Sequence, residues 1–306
     1  MWIICFFHPK YWLLAIVFLV CQLLVFLPLT FLLLCGNALG KIMAYFCGSI
    51  KRVADTNLGL CYPDLNREKR RCMLADSFVE LGISIVETLY IWFRGPQKLK
   101  DKIIHIEGQE NWQAALDNPR GIILLSCHTG SLDLNVALFH QLNESRRQFA
   151  ITYKQPSDKN IDKFLGIVRK QYTDLFFSVT NLRGVCRTLK DRGIVWYAPD
   201  LETSKKGRVF VKFMGVPAAT PSAIGKLAKS TGAQVLPYTH NRNDDGSYTM
   251  HFFPVMAEFP TDCITRDTQK VNDAIEKLIA FKPAAYWWAI KRFRYNKDGP
   301  TSVYKR

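Results

Sequence analysis

Gly121-Ile-Ile-Leu-Leu-Ser-Cys-His-Thr-Gly-Ser-Leu-Asp-Leu-Asn135 decides how the rest of the chain is read. Gly121 to Ser126 follows a turn at Asn118-Pro119-Arg120 and reads as one continuous apolar run, the pattern of a strand buried in a parallel sheet. The run ends at His128 and breaks at Thr129-Gly130. Near Ser131 it gives way to a helical stripe of Leu132, Val136 and Phe139. Open α/β sheets bind ligands at the carboxyl ends of their strands, beside helix amino termini, so His128 stands where chemistry is done.

On one uninterrupted helix, His128 and Asp133 would sit about 140° apart. If Thr129-Gly130 folds the imidazole back over the first helical turn, Asp133 takes the proton of one ring nitrogen and the other is left as a base. The competing reading is structural: a strand cap, a turn glycine and a solvated carboxylate. Cys127 is disfavoured as a nucleophile, because neighbours on an extended strand point to opposite faces. A metal site is disfavoured too, since the chain has neither His-Glu-x-x-His nor Cys-x-x-Cys.

The chain has 306 residues, and its 41 Lys and Arg against 26 Asp and Glu give a net charge of +15, which calls for an anionic partner. Nine scattered cysteines, an odd number, argue against a disulfide framework and for a reducing compartment. No residue between Lys10 and Lys41 is charged, and the apolar run from Tyr11 to Leu34 is long enough to cross a bilayer. We read it as one spanning or deeply inserted helix, with Pro28 marking a kink. A re-entrant or two-pass hairpin broken at Pro28 is the alternative. A cleaved signal peptide ending at Ala38-Leu39-Gly40 is disfavoured, because its apolar core would exceed the usual length of about 7 to 15 residues. Lys41, Lys51 and Arg52 follow the run and only Lys10 precedes it, which leaves the large domain in the cytoplasm. The chain thus divides into an anchor, 1–44, and a domain, 45–306.

Tyr62-Pro63-Asp64 announces a long amphipathic helix capped at or near Asp64, with Leu74, Phe78, Leu81, Ile85, Leu89 and Trp92 on its stripe. Beyond Gly95-Pro96, strands are predicted at 103–107, 121–126, 149–153, 174–179, 194–198 and 234–238. Helices are predicted at 111–116, 131–139, 161–170, 182–190 and 222–229, and a late one at 268–280. The alternation gives an α/β fold with a mostly parallel central sheet flanked by helices. The segment 248–253, entered through Asp244-Asp245-Gly246, should pair antiparallel with the 234 strand.

These motifs together resemble the late lipid A biosynthesis acyltransferases, the lauroyl and myristoyl transferases, within the lysophospholipid acyltransferase superfamily. The likeness runs from His-Pro-Lys-Tyr-Trp-Leu at His8, through Asn57-Leu-Gly-Leu-Cys-Tyr-Pro-Asp-Leu65 and the His-x4-Asp signature at His128 and Asp133. It continues through Val195-Trp-Tyr-Ala-Pro-Asp200 to Lys291-Arg-Phe-Arg294. It implies a glycerol-phosphate-acyltransferase-like sheet, no cofactor, and transfer of a fatty acyl group from acyl carrier protein to a hydroxyl of a Kdo-bearing lipid A precursor at the inner membrane. On this reading His128 deprotonates the hydroxyl and Asp133 orients the ring. The negative oxygen of the intermediate would be held by amides at the Ser131 helix start or by a cation after Tyr153. Lys154 stands there, where relatives often carry Arg. Asp200 and the basic loop Lys205, Lys206 and Arg208 are expected to bind the acceptor and its phosphate.

The positive charge then matches an acidic acyl carrier protein and anionic inner-membrane lipids. One rival is an acyltransferase of the same superfamily acting on lysophosphatidate or another glycolipid. A second is a non-catalytic protein that binds anionic lipid or nucleic acid. The cations are dispersed and no RNA-recognition or zinc-finger spacing occurs, so nucleic acid is not expected as a partner.

Overall fold

The computed structural model describes residues 8–202, 207–296, 299–300 and 303–304. The apolar amino-terminal run is two helices rather than one: α1 (Trp12–Leu24) and α2 (Leu29–Phe46), separated at Pro28, which stands at the N-cap of α2. Proline has no N–H to continue a helix and its ring crowds the preceding turn, so the chain breaks there. Then follow α3 (Gly48–Cys61) and α4 (Arg67–Arg94). The cap of α4 is Asn66, not Asp64, and its side chain accepts from the Lys69 amide at 2.8 Å. Asp64 lies in the turn that precedes it.

The helices α2 and α4 approach closely because glycines face glycine. A Cβ on Gly36 would lie 2.7 Å from the Ile83 Cα, and one on Gly82 would collide with the backbone of Gly36 and Gly40. Small residues four apart let two helix backbones meet. The boundary expected between residues 44 and 45 therefore falls inside a helix packed against the rest of the chain.

The remaining elements are β1 (Ile103–Glu107), α5 (Gln109–Asp117), β2 (Ile122–Leu125), α6 (Leu132–Leu142), β3 (Phe149–Tyr153), α7 (Lys159–Arg169), β4 (Leu175–Ser178), α8 (Leu182–Lys190), β5 (Ile194–Tyr197), β6 (Arg208–Phe213), β7 (Val216–Pro221), α9 (Ala223–Thr231), β8 (Gln234–Arg242), β9 (Tyr248–Phe252) and α10 (Ile264–Ala280). The main sheet runs β1-β9-β8-β2-β5-β3-β4. The strands β8, β2, β5, β3 and β4 are mutually parallel. As expected, β9 runs antiparallel to β8, and β1 lies beside β9 and parallel to it.

The sheet is covered on both sides, so the neighbouring central strands β2 and β5 are apolar at every position. Ile123, Leu125, Val195 and Val235 join one core with residues of α3, α8, α9 and α10, while Ile122, Leu124, Ile194, Trp196 and Leu236 join the other with α5 and α6. This is the two-residue alternation of a strand sorting neighbours to opposite faces. The β6–β7 hairpin is a separate two-stranded sheet, absent from the strands expected of the sequence. Its inner positions are held by the buried Arg292, whose guanidinium donates to the Ala219 carbonyl at 3.1 Å and the Thr220 hydroxyl at 2.8 Å.

The outward surface of the first two helices is apolar. Leu13, Leu23, Phe26, Leu34, Tyr45 and Phe46 are all well exposed. Of the described helices, α2 is long and apolar enough to cross a membrane.

Candidate active site

Strand β2 delivers His128 and strand β5 delivers Asp200. The two strands are registered Leu125 with Tyr197, and His128 and Asp200 each lie three residues beyond that pair. Past the ladder, the Ser126 amide donates to the Tyr197 carbonyl at 3.0 Å and the Thr129 amide to the Cys127 carbonyl at 2.9 Å, so the chain turns sharply at His128. Gly130 completes the turn at φ +54, a conformation that suits glycine. Ser131 then caps α6, its hydroxyl accepting from the Leu134 amide at 3.2 Å and pairing with the Thr88 hydroxyl of α4 at 2.8 Å.

The imidazole Nδ1 lies 2.7 Å from Oδ1 of Asp200, and the His128 amide donates to Oδ2 at 2.9 Å. Asp200 is fully buried. Burial pushes its carboxyl up, but the charge and hydrogen bonds of His128 outweigh that and hold it below the ordinary carboxylate range. A carboxylate can only accept, so Nδ1 carries the hydrogen and Nε2 is the nitrogen turned away from Asp200. The His128 side chain retains 12% exposure, whereas Asp200 has none.

The pairing expected between His128 and Asp133 is not what forms. Asp133, in the first turn of α6, accepts from Nε of Arg169 at 3.1 Å and from the Tyr172 hydroxyl at 2.5 Å. Its carboxyl is pushed up by burial but held low in balance by the Arg169 guanidinium and these hydrogen bonds. A buried carboxylate needs a cation, and Arg169 at the end of α7 supplies one. The turn at Thr129-Gly130 directs His128 toward β5 instead of back over α6.

Asp200, expected to bind the acceptor, is fully buried with its carboxylate on the ring and amide of His128. Arg208 stands at the start of β6, not on a loop, with its guanidinium over the rings of Phe210 and Tyr295 at 5.4 and 5.2 Å. Lys154 is exposed at the end of β3, with β5 between that strand and β2. Lys205 and Lys206 lie outside the described residues. The Cys127 thiol is fully buried, and burial raises it well above its ordinary value, so it offers no thiolate.

A carboxyl-terminal segment closes the site from above. The Gly130 amide donates to the Ala285 carbonyl, and the Trp287 amide to the His128 carbonyl, both at 2.9 Å. The Trp287 indole donates to the Gly130 carbonyl at 2.9 Å and stands edge-on to the imidazole, 5.2 Å between centroids. Asn57 ties this segment to α3 by donating to the Trp288 and Ile290 carbonyls at 2.7 and 2.8 Å. The role of Trp287 was not legible in the sequence. That of Asp200 had a signal, since two parallel strands each end in a polar residue at the same offset.

The chain matches the model of the bacterial lipid A biosynthesis acyltransferases over residues 4–295. It is 29% identical to the lipid A biosynthesis lauroyltransferase of Escherichia coli over 97% of this chain and 96% of that one. With the palmitoleoyltransferase of the same organism it shares 31% over 98% and 96%, and with the myristoyltransferase 22% over 88% and 82%. A solved 1-acyl-sn-glycerophosphate acyltransferase from Thermotoga maritima superposes with a TM-score of 0.36 at 17% identity, covering 80% of this chain and 97% of that one.

Proposed function

The chain belongs to the bacterial lipid A biosynthesis acyltransferase family, and from that premise we propose that it moves a fatty acyl group from acyl carrier protein to a hydroxyl of a Kdo-bearing lipid A precursor, with His128 as general base. The observation that carries the mechanism is the ring hydrogen bond to a buried carboxylate, which leaves Nε2 free to accept a proton. As His128 takes the hydroxyl proton, the oxygen forms its bond to the thioester carbonyl carbon. The tetrahedral intermediate then collapses, the carbon–sulfur bond breaks, and the imidazolium returns its proton to the departing thiolate. Asp200 stabilises the imidazolium between those two steps. The thioester is already activated, so direct transfer needs neither ATP nor a covalent enzyme intermediate.

A small apolar recess lined by Ala54, Phe78, Leu81, Trp287 and Ala289 is where the acyl chain would enter, because Trp287 lines both it and the flank of His128. The exposed apolar faces of α1 and α2 suit an inner-membrane surface with the α/β domain on its cytoplasmic side. The net charge of +15 would steer the protein toward anionic headgroups and toward an acidic acyl carrier protein.

The test supplies purified protein with lauroyl-acyl carrier protein and either the Kdo-bearing precursor or lysophosphatidate. Transfer to the precursor, lost by at least about 100-fold in His128→Ala, is expected. Transfer to lysophosphatidate alone would hand the function to the other branch of the superfamily, and an active His128→Ala would remove the base.

A further inference from the structure

On the side of β2 away from Asp200, strand β8 is registered Pro237 with Leu125, so His240 occupies the same three-residue offset as His128 and Asp200. Its imidazole is 93% shielded, with a relative exposure of 7%. Nδ1 lies 2.8 Å from Nδ2 of Asn135, and among the described residues no hydrogen bond to Nε2 is formed. That nitrogen points toward the catalytic turn, where a Cβ on Gly130 would lie 3.6 Å away. The two line one small recess together with Thr129, Glu80, Glu87, Arg242 and Lys282.

The tautomer of His240 follows from its neighbours. The Trp196 indole N–H can only donate, and it meets Oδ1 of Asn135 at 2.8 Å. The Asn135 amide is therefore oriented with its NH2 group toward His240, and Nδ1 must accept. Nε2 then carries the hydrogen. Burial, together with the charges of Arg242, Lys282 and His251, pushes the imidazole down to about 3, so it is neutral. Arg242 is held by Glu80 and Glu87 at 2.7 and 2.8 Å, and Lys282 by Glu80 at 2.8 Å. Among the described residues the cations of the recess are thus paired, and His240 adds a neutral N–H donor in fixed orientation.

We infer that the Nε2–H of His240 donates to the thioester carbonyl oxygen and stabilises it as it becomes an oxyanion, with Asn135 and Trp196 as positioning residues that lock the tautomer. This deepens the acyl-transfer reading and rests on it. A donor held in place before the reaction, in a recess that admits little water, meets the requirement for stabilising developing charge. A fully paired set of cations suits a carbonyl oxygen better than a phosphate dianion, which would compete with Glu80 and Glu87 for the same partners.

Two amide variants separate the roles, because the Gln nitrogen reaches the place of Nε2 and the Asn nitrogen only that of Nδ1. With lauroyl-acyl carrier protein and the Kdo-bearing precursor, His240→Gln should keep kcat within about 5-fold, while His240→Asn should lose about 100- to 1000-fold with the acceptor KM little changed. Imidazole 15N shifts of the wild-type protein should report the Nε2–H tautomer, and Asn135→Asp should convert it to Nδ1–H or to the imidazolium. The inference is overturned by equal kcat in the two variants, by a rise in acceptor KM at unchanged kcat, or by an Nδ1–H tautomer in the wild type. Wild-type transfer in the same assay keeps that failure distinct from failure of the acyl-transfer reading, since no transfer at all would overturn both.

Discussion

Asp200 holds His128 by two atoms at once, Oδ1 at the ring nitrogen and Oδ2 at the backbone amide, 2.7 and 2.9 Å away. A single hydrogen bond would fix the tautomer but let the ring swing. The second ties the carboxylate to the backbone that carries the ring, so orientation and protonation are set together.

Asp200→Asn should therefore reverse the tautomer, because the amide can donate to Nδ1 and drive the hydrogen to Nε2. Turnover should fall by about 100- to 10,000-fold, with binding of the acyl donor retained. Steady-state kinetics at saturating donor check this, and an Asn variant at wild-type kcat contradicts it.

Asp133→Asn should act on the fold first. It would leave Arg169 buried without its counter-charge, a loss of about 2 to 4 kcal/mol after allowing for the partial exposure of that side chain. Thermal unfolding in detergent should show a lower midpoint, and the pH dependence of kcat should keep its shape. A change in that pH profile without loss of stability would instead couple Asp133 to His128.

Lowering the pH should destabilise the protein through His240. Its folded value of about 3 is depressed from the usual 6.5 of an imidazole in water. Below pH 6.5 the unfolded state therefore binds a proton that the folded state refuses. The stability contribution is complete above about pH 6.5 and is lost as pH falls toward 3, at up to about 1.4 kcal/mol per pH unit. His240→Gln should flatten this slope in urea titrations between pH 6 and 4. An unchanged slope would place the responsible proton elsewhere.

Gly82→Val should separate α2 from α4, because its side chain has only the backbone of Gly36 and Gly40 to occupy. A cost of at least about 1 to 3 kcal/mol is expected from forced overpacking. A wild-type melting temperature would show that the helices part without penalty.

Replacing exposed Leu13, Leu23 and Phe26 by Glu should weaken membrane association without lowering the melting temperature, since these side chains face away from the core. Vesicle flotation measures the first and calorimetry the second. Unchanged flotation would deny these helices a role in holding lipid.

The central sheet was legible because a strand covered on both sides must be apolar throughout, and runs such as Ile122–Leu125 and Ile194–Tyr197 have few other uses. The β6–β7 hairpin was not, since Arg208, Lys212 and two prolines in β7 obscure its alternation. At the site, His128 announced itself by ending a strand. The signal for its partner, a polar residue at the same offset past a parallel strand, was masked because sequence spacing favours the near carboxylate, whereas register brings in one 72 residues away. Asp133 was visible as a special residue but attributed to the wrong neighbour. The cation that claims it, Arg169, lies on a helix whose placement no local pattern specifies.

Ala285 and Trp287 bear on when the molecule becomes active during its manufacture. A ribosome produces the two apolar amino-terminal helices first and this clasp on the His128 turn more than 200 residues later. The turn therefore lacks the hydrogen bonds that Ala285 and Trp287 supply until residues 285–287 have been added.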